Sequence, residues 1–180
     1  RNGLAECIKH DVIRDADGFA SLEQNIGRAI EFDLEYLTDL IAHNVAIKGA
    51  LVASDPFEQA DRALLNFGHT FGHGIETAAK FTRPHGECVA LGMIAASRAA
   101  VAMNMLDEQS RLRIVGLIDK AQLATRMFVD SSAVIEAMAY DKKVRSGKLR
   151  LVLPDRIGHV VLRDDVPPEV VRGAVESLRG

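Results

Sequence analysis

A mainly α-helical array with a small β-hairpin near its C-terminus is the fold class this sequence predicts, as one domain over residues 1–180. Three observations carry it. Apolar residues recur at steps of three and four through most of the chain, the period of helices with one buried face. The apolar content, 48% of the residues, is Ala, Leu, Val and Ile with no Trp and only two Tyr, which suits close helix packing. Near the end, two short runs, Leu149–Leu153 and His159–Leu162, flank Pro154-Asp155-Arg156-Ile157-Gly158, a hairpin signal.

In chain order, Asn2 to Arg14 reads as a helix with Leu4, Cys7, Ile8 and Val12 on its apolar side and Glu6, Lys9 and His10 opposite; Asp15-Ala16-Asp17-Gly18 ends it as a turn. Ser21 is the expected N-cap of a short helix ending near Gly27. A long amphipathic helix is expected from Ile30 to Ala53, its core contacts Leu34, Leu37, Leu40, Ile41, Val45 and Val52, stopped by Ser54-Asp55-Pro56. Pro84 opens a helix to Met103 so rich in Ala and Gly that it is expected at the buried centre of the array. Asp107 caps a helix to Ala121, and Ser131 another to Tyr140, after a stretch with room for a short strand. Pro167-Pro168-Glu169 starts the last helix, to Leu178.

Composition excludes some functions. A net charge of −3 supplies no basic field for nucleic acid. The longest apolar stretch, Cys88 to Met105, is broken by Arg98, so neither a membrane span nor a signal peptide is expected. Cys7 and Cys88 form no CxxC and read as small buried thiols of a reducing compartment, with a cytoplasmic location.

The chemistry concentrates between Arg62 and Glu87, RALLNFGHTFGHGIETAAKFTRPHGE. Read as one helix, the stretch places Arg62, Asn66, His69, His73, Glu76 and Lys80 on one face. A solvated face would be Glu and Lys; an Asn and two His at its centre point instead to an internal polar cavity, a metal and anion site. His69 and His73, four apart, can reach one ion, although such pairs are commonly hydrogen-bonded core histidines. His85 is a third candidate ligand. Lys48 sits in an apolar half of its helix, either snorkelling or aimed into the cavity. Glu6 and Lys9, three apart, form by default a surface ion pair. The basic run from Asp141 to Lys148 is by default a solvated turn.

Asn2-Gly3-Leu4-Ala5-Glu6-Cys7-Ile8-Lys9, Arg62 through His73, His85-Gly86-Glu87-Cys88-Val89 and Asp141-Lys142-Lys143 together resemble 3-dehydroquinate synthase, and only its C-terminal, metal-binding domain. The resemblance implies a catalytic zinc, or another divalent ion such as Co2+, held by Glu6, His69 and His85, with His73 then not a ligand. It implies Lys9, Asn66 and His73 as catalytic residues and a substrate pocket of Lys48, Arg62, Asn66, His73 and a lysine of the pair Lys142 and Lys143. It further implies NAD, a homodimeric complete enzyme and conversion of a sugar-acid phosphate, 3-deoxy-arabino-heptulosonate 7-phosphate, into 3-dehydroquinate and phosphate. The family's N-terminal nucleotide-binding domain has no counterpart here, since no glycine-rich strand-to-helix loop is present. The chain alone is therefore expected to be inactive. The competing readings are another sugar-phosphate cyclase such as 2-deoxy-scyllo-inosose synthase, a metal-dependent polyol dehydrogenase, and a non-catalytic metal-binding module.

Overall fold

The computed structural model of the chain describes residues 1–57, 61–128, 130–140 and 149–179. Among them are eight α-helices and one hairpin: α1 (Asn2–Arg14), α2 (Ala16–Ile30), α3 (Leu34–Ser54), α4 (His69–Ala78), α5 (His85–Ala102), α6 (Glu108–Lys120), α7 (Ser131–Tyr140), β1 (Leu151–Arg156), β2 (His159–Arg163) and α8 (Pro168–Glu176). The mainly helical class with a late hairpin is what the sequence predicts. No helix among the described residues is long and apolar enough to cross a membrane.

Helix α5 is the axis. Every residue from Cys88 to Ser97 is buried, and α1, α4, α6, α8 and β1 all pack against it. Its small side chains permit this. Gly92 meets the first turn of α4 so closely that a Cβ there would lie 1.9 Å from the Gly68 carbonyl oxygen. Gly68 itself stands at φ +75°, in the left-handed region that favours glycine. The strands pair antiparallel, Leu151 opposite Arg163 and Leu153 opposite Val161, and β1 lays its buried leucines on α5.

Several expectations are corrected. The stretch from Arg62 to Lys80 is not one helix: Asp61–Asn66 is a 3₁₀ segment, Gly68 turns the chain, and α4 runs only from His69 to Ala78, leaving Lys80 beyond its end at φ 52°. Asp15 does not end in a turn but caps α2 directly, its side chain accepting from the Asp17 and Gly18 amides, so Ser21 is interior. Asp33 caps α3 by accepting from the Tyr36 amide, which starts it at Leu34 rather than Ile30. Leu34, Ile41 and Val45 are 76%, 58% and 65% exposed, not core. Helix α3 lies at the edge of the array and packs one side only, through Leu40, Asn44 and Leu51. At α7 the N-terminal amide of Ser132 is capped by the Asp130 carboxylate rather than by Ser131, and no strand precedes that helix among the described residues.

Both cysteines are free and buried, and burial pushes the Cys7 thiol up to about 12 and that of Cys88 to about 11, leaving them protonated and inert.

A buried carboxyl joins α1 to α3. Asp11 Oδ1 lies 2.9 Å from His43 Nε2, while Oδ2 is buried with no hydrogen-bond partner. Burial pushes this carboxyl from an ordinary 3.8 up to about 6. Between those values the folded chain keeps a proton that the unfolded chain has released. The stability is fully present below pH 3.8 and is lost as pH rises to about 6. The loss is on the order of 3 kcal/mol. Asp11→Asn should flatten this part of the curve of unfolding free energy against pH measured in urea. Equal slopes in variant and parent would mean that Asp11 is ionised throughout.

Candidate metal centre

Three elements converge on one cluster. Glu6 lies in the second turn of α1, His69 is the first residue of α4, and His85 is the first residue of α5. Each offers one donor atom, and the three atoms lie within 4.8 Å of one another. His73, one turn along α4, completes a near-equilateral triangle of imidazoles. Ring centroids are 5.6 Å apart for His69 and His73, 5.4 Å for His69 and His85, and 5.9 Å for His73 and His85.

The protonation of His69 follows from its surroundings. Its Nδ1 donates to the Phe67 carbonyl at 3.2 Å. A neutral ring therefore presents the lone pair of Nε2, which faces Glu6 Oε1 at 3.6 Å. Burial, reinforced by the ammonium of Lys9, pushes His69 down to about 4, so the ring is neutral at physiological pH. Burial acts against ionisation of Glu6, but Lys9 at 2.7 Å outweighs it and holds the carboxyl below its usual range. The result is an ionised carboxylate beside a neutral imidazole, the states that metal ligands need.

A divalent ion fits this arrangement on two counts. Glu6 Oε1 is buried without a hydrogen-bond partner, a costly state unless something else satisfies it. Tetrahedral zinc with ligands at about 2.0–2.1 Å sets neighbouring donors about 3.3 Å apart, close to the 3.6 Å between Glu6 and His69. Spacing alone suggested a simple His69–His73 pair; the fold brings the donor atoms of Glu6, His69 and His85 together from three helices. Lys9 is no surface residue: it is 3% exposed.

Of the remaining candidates, Arg62 and Asn66 lie on the 3₁₀ segment and Lys48 on α3. Asn66 ends the 3₁₀ segment and is half-buried, three residues before His69 begins α4. Arg62 sits in the same segment, its backbone amide on Asp55 and its guanidinium donating to the Pro56 carbonyl at 2.9 Å. Lys48 is exposed at the edge of a groove of about 390 Å³ between α1 and α3, together with Cys7, His10, Ile41 and Asn44. Lys142 and Lys143 lie outside the described residues.

Sequence reasoning missed His10, which it placed on the polar side of α1. The residue is 4% exposed. Its Nδ1 meets the Asn44 carboxamide oxygen at 2.9 Å, fixed as the acceptor because the Asn44 amide nitrogen donates to the Leu40 carbonyl. Burial and then Lys9 push its ring down to about 4. The unpartnered Nε2 stands 4.0 Å from Glu6 Oε2, as a neutral wall behind the carboxylate. An Asn four residues after the buried Leu40, on the packed side of α3, was the available signal.

Comparison with known proteins gives the class first. The fold matches that of 2-epi-5-epi-valiolone synthase from Streptomyces hygroscopicus subsp. jinggangensis 5008, solved with NAD+ and Zn2+ bound. The TM-score is 0.88 and the identity 27%, over 98% of this chain and 50% of that one. A 2-deoxy-scyllo-inosose synthase complexed with carbaglucose-6-phosphate, NAD+ and Co2+ shares the fold at TM-score 0.85 and 22% identity, over 98% of this chain and 51% of that one. The domain is thus of the kind found in sugar-phosphate cyclases. The family described as 3-dehydroquinate synthase C-terminal matches residues 3–144, and the chain belongs to it. Relatives named 3-dehydroquinate synthase include those of Acetivibrio thermocellus, 40% identical over 98% of this chain and 49% of the relative, and Gloeobacter violaceus, 43% identical over 100% and 50%. The chain spans about half the length of the curated relatives it matches.

Proposed function

We propose that these 180 residues are the metal- and substrate-binding part of a 3-dehydroquinate synthase, which converts 3-deoxy-arabino-heptulosonate 7-phosphate into 3-dehydroquinate and phosphate, the second step of the shikimate pathway. The observation that carries this reading is the meeting of Glu6, His69 and His85 donor atoms within 4.8 Å, in a chain of this family. Relatives near 40% identity bear that name, whereas the valiolone synthase stands at 27%.

In this reading Glu6, His69 and His85 hold a divalent ion, Zn2+ or Co2+, and NAD is bound mainly by a nucleotide-binding domain outside these residues. The ion supplies Lewis acidity toward substrate hydroxyls, and the nucleotide takes and returns a hydride. The chain's own residues do the rest. Lys9, whose ammonium already faces the Glu6 carboxylate, is placed to donate to an oxygen of a substrate lying against that carboxylate. Arg62, Asn66, Lys48 and a lysine of the pair Lys142 and Lys143 supply donors for the substrate's carboxylate and phosphate. His73 offers a ring nitrogen to the leaving phosphate oxygen. A cytoplasmic enzyme, homodimeric when complete, belongs to the same proposal.

The test is turnover by the complete protein that contains this chain. With NAD and Zn2+ it should release phosphate from the heptulosonate phosphate, lose that activity on chelation, and leave glucose 6-phosphate untouched. Cyclisation of glucose 6-phosphate instead would favour an inosose synthase. The 180 residues by themselves should show no saturable NAD binding in calorimetry, and micromolar affinity would contradict the assignment of NAD to another domain.

A further inference from the structure

The cluster holds more donors than one ion uses. His73, Glu76 and His85 also offer one atom each, all within 4.8 Å of one another, so His85 belongs to two donor sets. We propose that His73, Glu76 and His85 form a second divalent-cation position, an alternative to the first because both need His85. This inference rests on the reading that Glu6, His69 and His85 hold the resident ion.

The geometry of the two sets is alike. Glu76 Oε1 stands 3.4 Å from His85 Nδ1, as Glu6 Oε1 stands 3.6 Å from His69 Nε2. Both distances are close to the edge of a zinc tetrahedron, about 3.3 Å. Helical spacing produces the second set: His73 and Glu76 are three apart on α4 and project from the same face toward the start of α5. Two imidazoles and a carboxylate suit a borderline ion such as Zn2+ or Co2+.

Sharing decides the behaviour. A neutral imidazole has one unprotonated nitrogen and so serves one ion at a time. An ion in the second position takes His85 from the first and occupies His73, the group assigned to the departing phosphate. Loss of Glu6 or His69 therefore relocates the ion rather than releasing it.

The test is a titration of the full chain with Co2+ alone, read by its visible absorption, with folding followed by circular dichroism. The parent and Glu76→Gln should bind the first equivalent equally tightly. His69→Ala should still bind one equivalent, on the order of tenfold or more weakly and with an altered spectrum. Adding Glu76→Gln to His69→Ala should abolish that residual binding, and His85→Ala alone should abolish both. Equal affinities in His69→Ala and the double variant would overturn the second position. So would a weakened first equivalent in Glu76→Gln, which would make Glu76 an orienting partner of His85. His69→Ala binding as tightly as the parent would instead remove the Glu6–His69–His85 reading itself.

Discussion

His73→Ala is expected to keep its first equivalent of metal and to release phosphate ~10²–10⁴ times more slowly, the usual effect of removing a proton donor from a reacting oxygen. The expectation follows from the geometry of α4. His69 opens the helix with its Nε2 turned to Glu6, whereas His73 stands one turn further along, its ring centroid 5.6 Å away. Residues at that spacing point into the same space yet reach different depths, so one can hold the ion while the other meets the phosphate. The measurement is single-turnover phosphate release by the complete enzyme, with metal content determined on the same samples. A non-eliminable phosphonate analogue should also bind the variant more weakly. Parental rates together with normal analogue binding would return His73 to the status of a packed histidine. Loss of the metal in this variant would restore the simple His69–His73 pair.

Gly92→Ala should disable the centre without touching any residue of it. A methyl group at Gly92 would lie 1.9 Å from the Gly68 carbonyl oxygen and 2.7 Å from the Gly72 amide nitrogen. These are backbone atoms, and they are joined to each other by the first hydrogen bond of α4, Gly72 N–H to Gly68 O at 2.8 Å. No rotamer can relieve the clash, so α4 must move from α5 by about an ångström, carrying His69 away from His85. Overpacking of this kind typically costs ~1–3 kcal/mol and occasionally more. A shift of ~1 Å at a reacting centre can lower its rate by ~10²-fold. Stability to urea and metal affinity should therefore both fall in Gly92→Ala, while Gly116→Ala, inside α6 with open space around its Cβ, should leave metal affinity unchanged and raise stability by ~0.5–1 kcal/mol. A Gly92→Ala chain with parental metal affinity would show that the crossing of α4 and α5 does not set the site.

Some of this was legible from local chemistry alone. Helix α1, the Ala-rich α5, the hairpin around Gly158 and the proline-initiated α8 follow from period, small-residue content and turn residues, which depend on a few neighbours along the chain. The same holds for the unusual character of the stretch around His69 and His73, since a face of imidazoles and an amide is costly to bury without a ligand or partner. Residue spacing by itself offered the His69–His73 pair with His85 as a third candidate. It could not reach Glu6, because that donor lies on another helix and its distance from His69 is set by packing, not by separation in sequence. Period also joined Arg62 to Lys80 as one helix, because the 3₁₀ segment and α4 continue the same rhythm while Gly68 breaks the backbone between them. The outward faces of Leu34, Ile41 and Val45 were equally hidden: an apolar stripe states that a helix can be packed on a side, and only the arrangement of its neighbours determines which side that is. What the sequence determined by itself was thus the inventory of elements and donors. The tertiary structure decided which donors come together, because α4 meets α5 through the close approach that Gly92 allows and α1 meets the start of α5 at Gly86, where a Cβ would lie 2.6 Å from the Asn2 Cα.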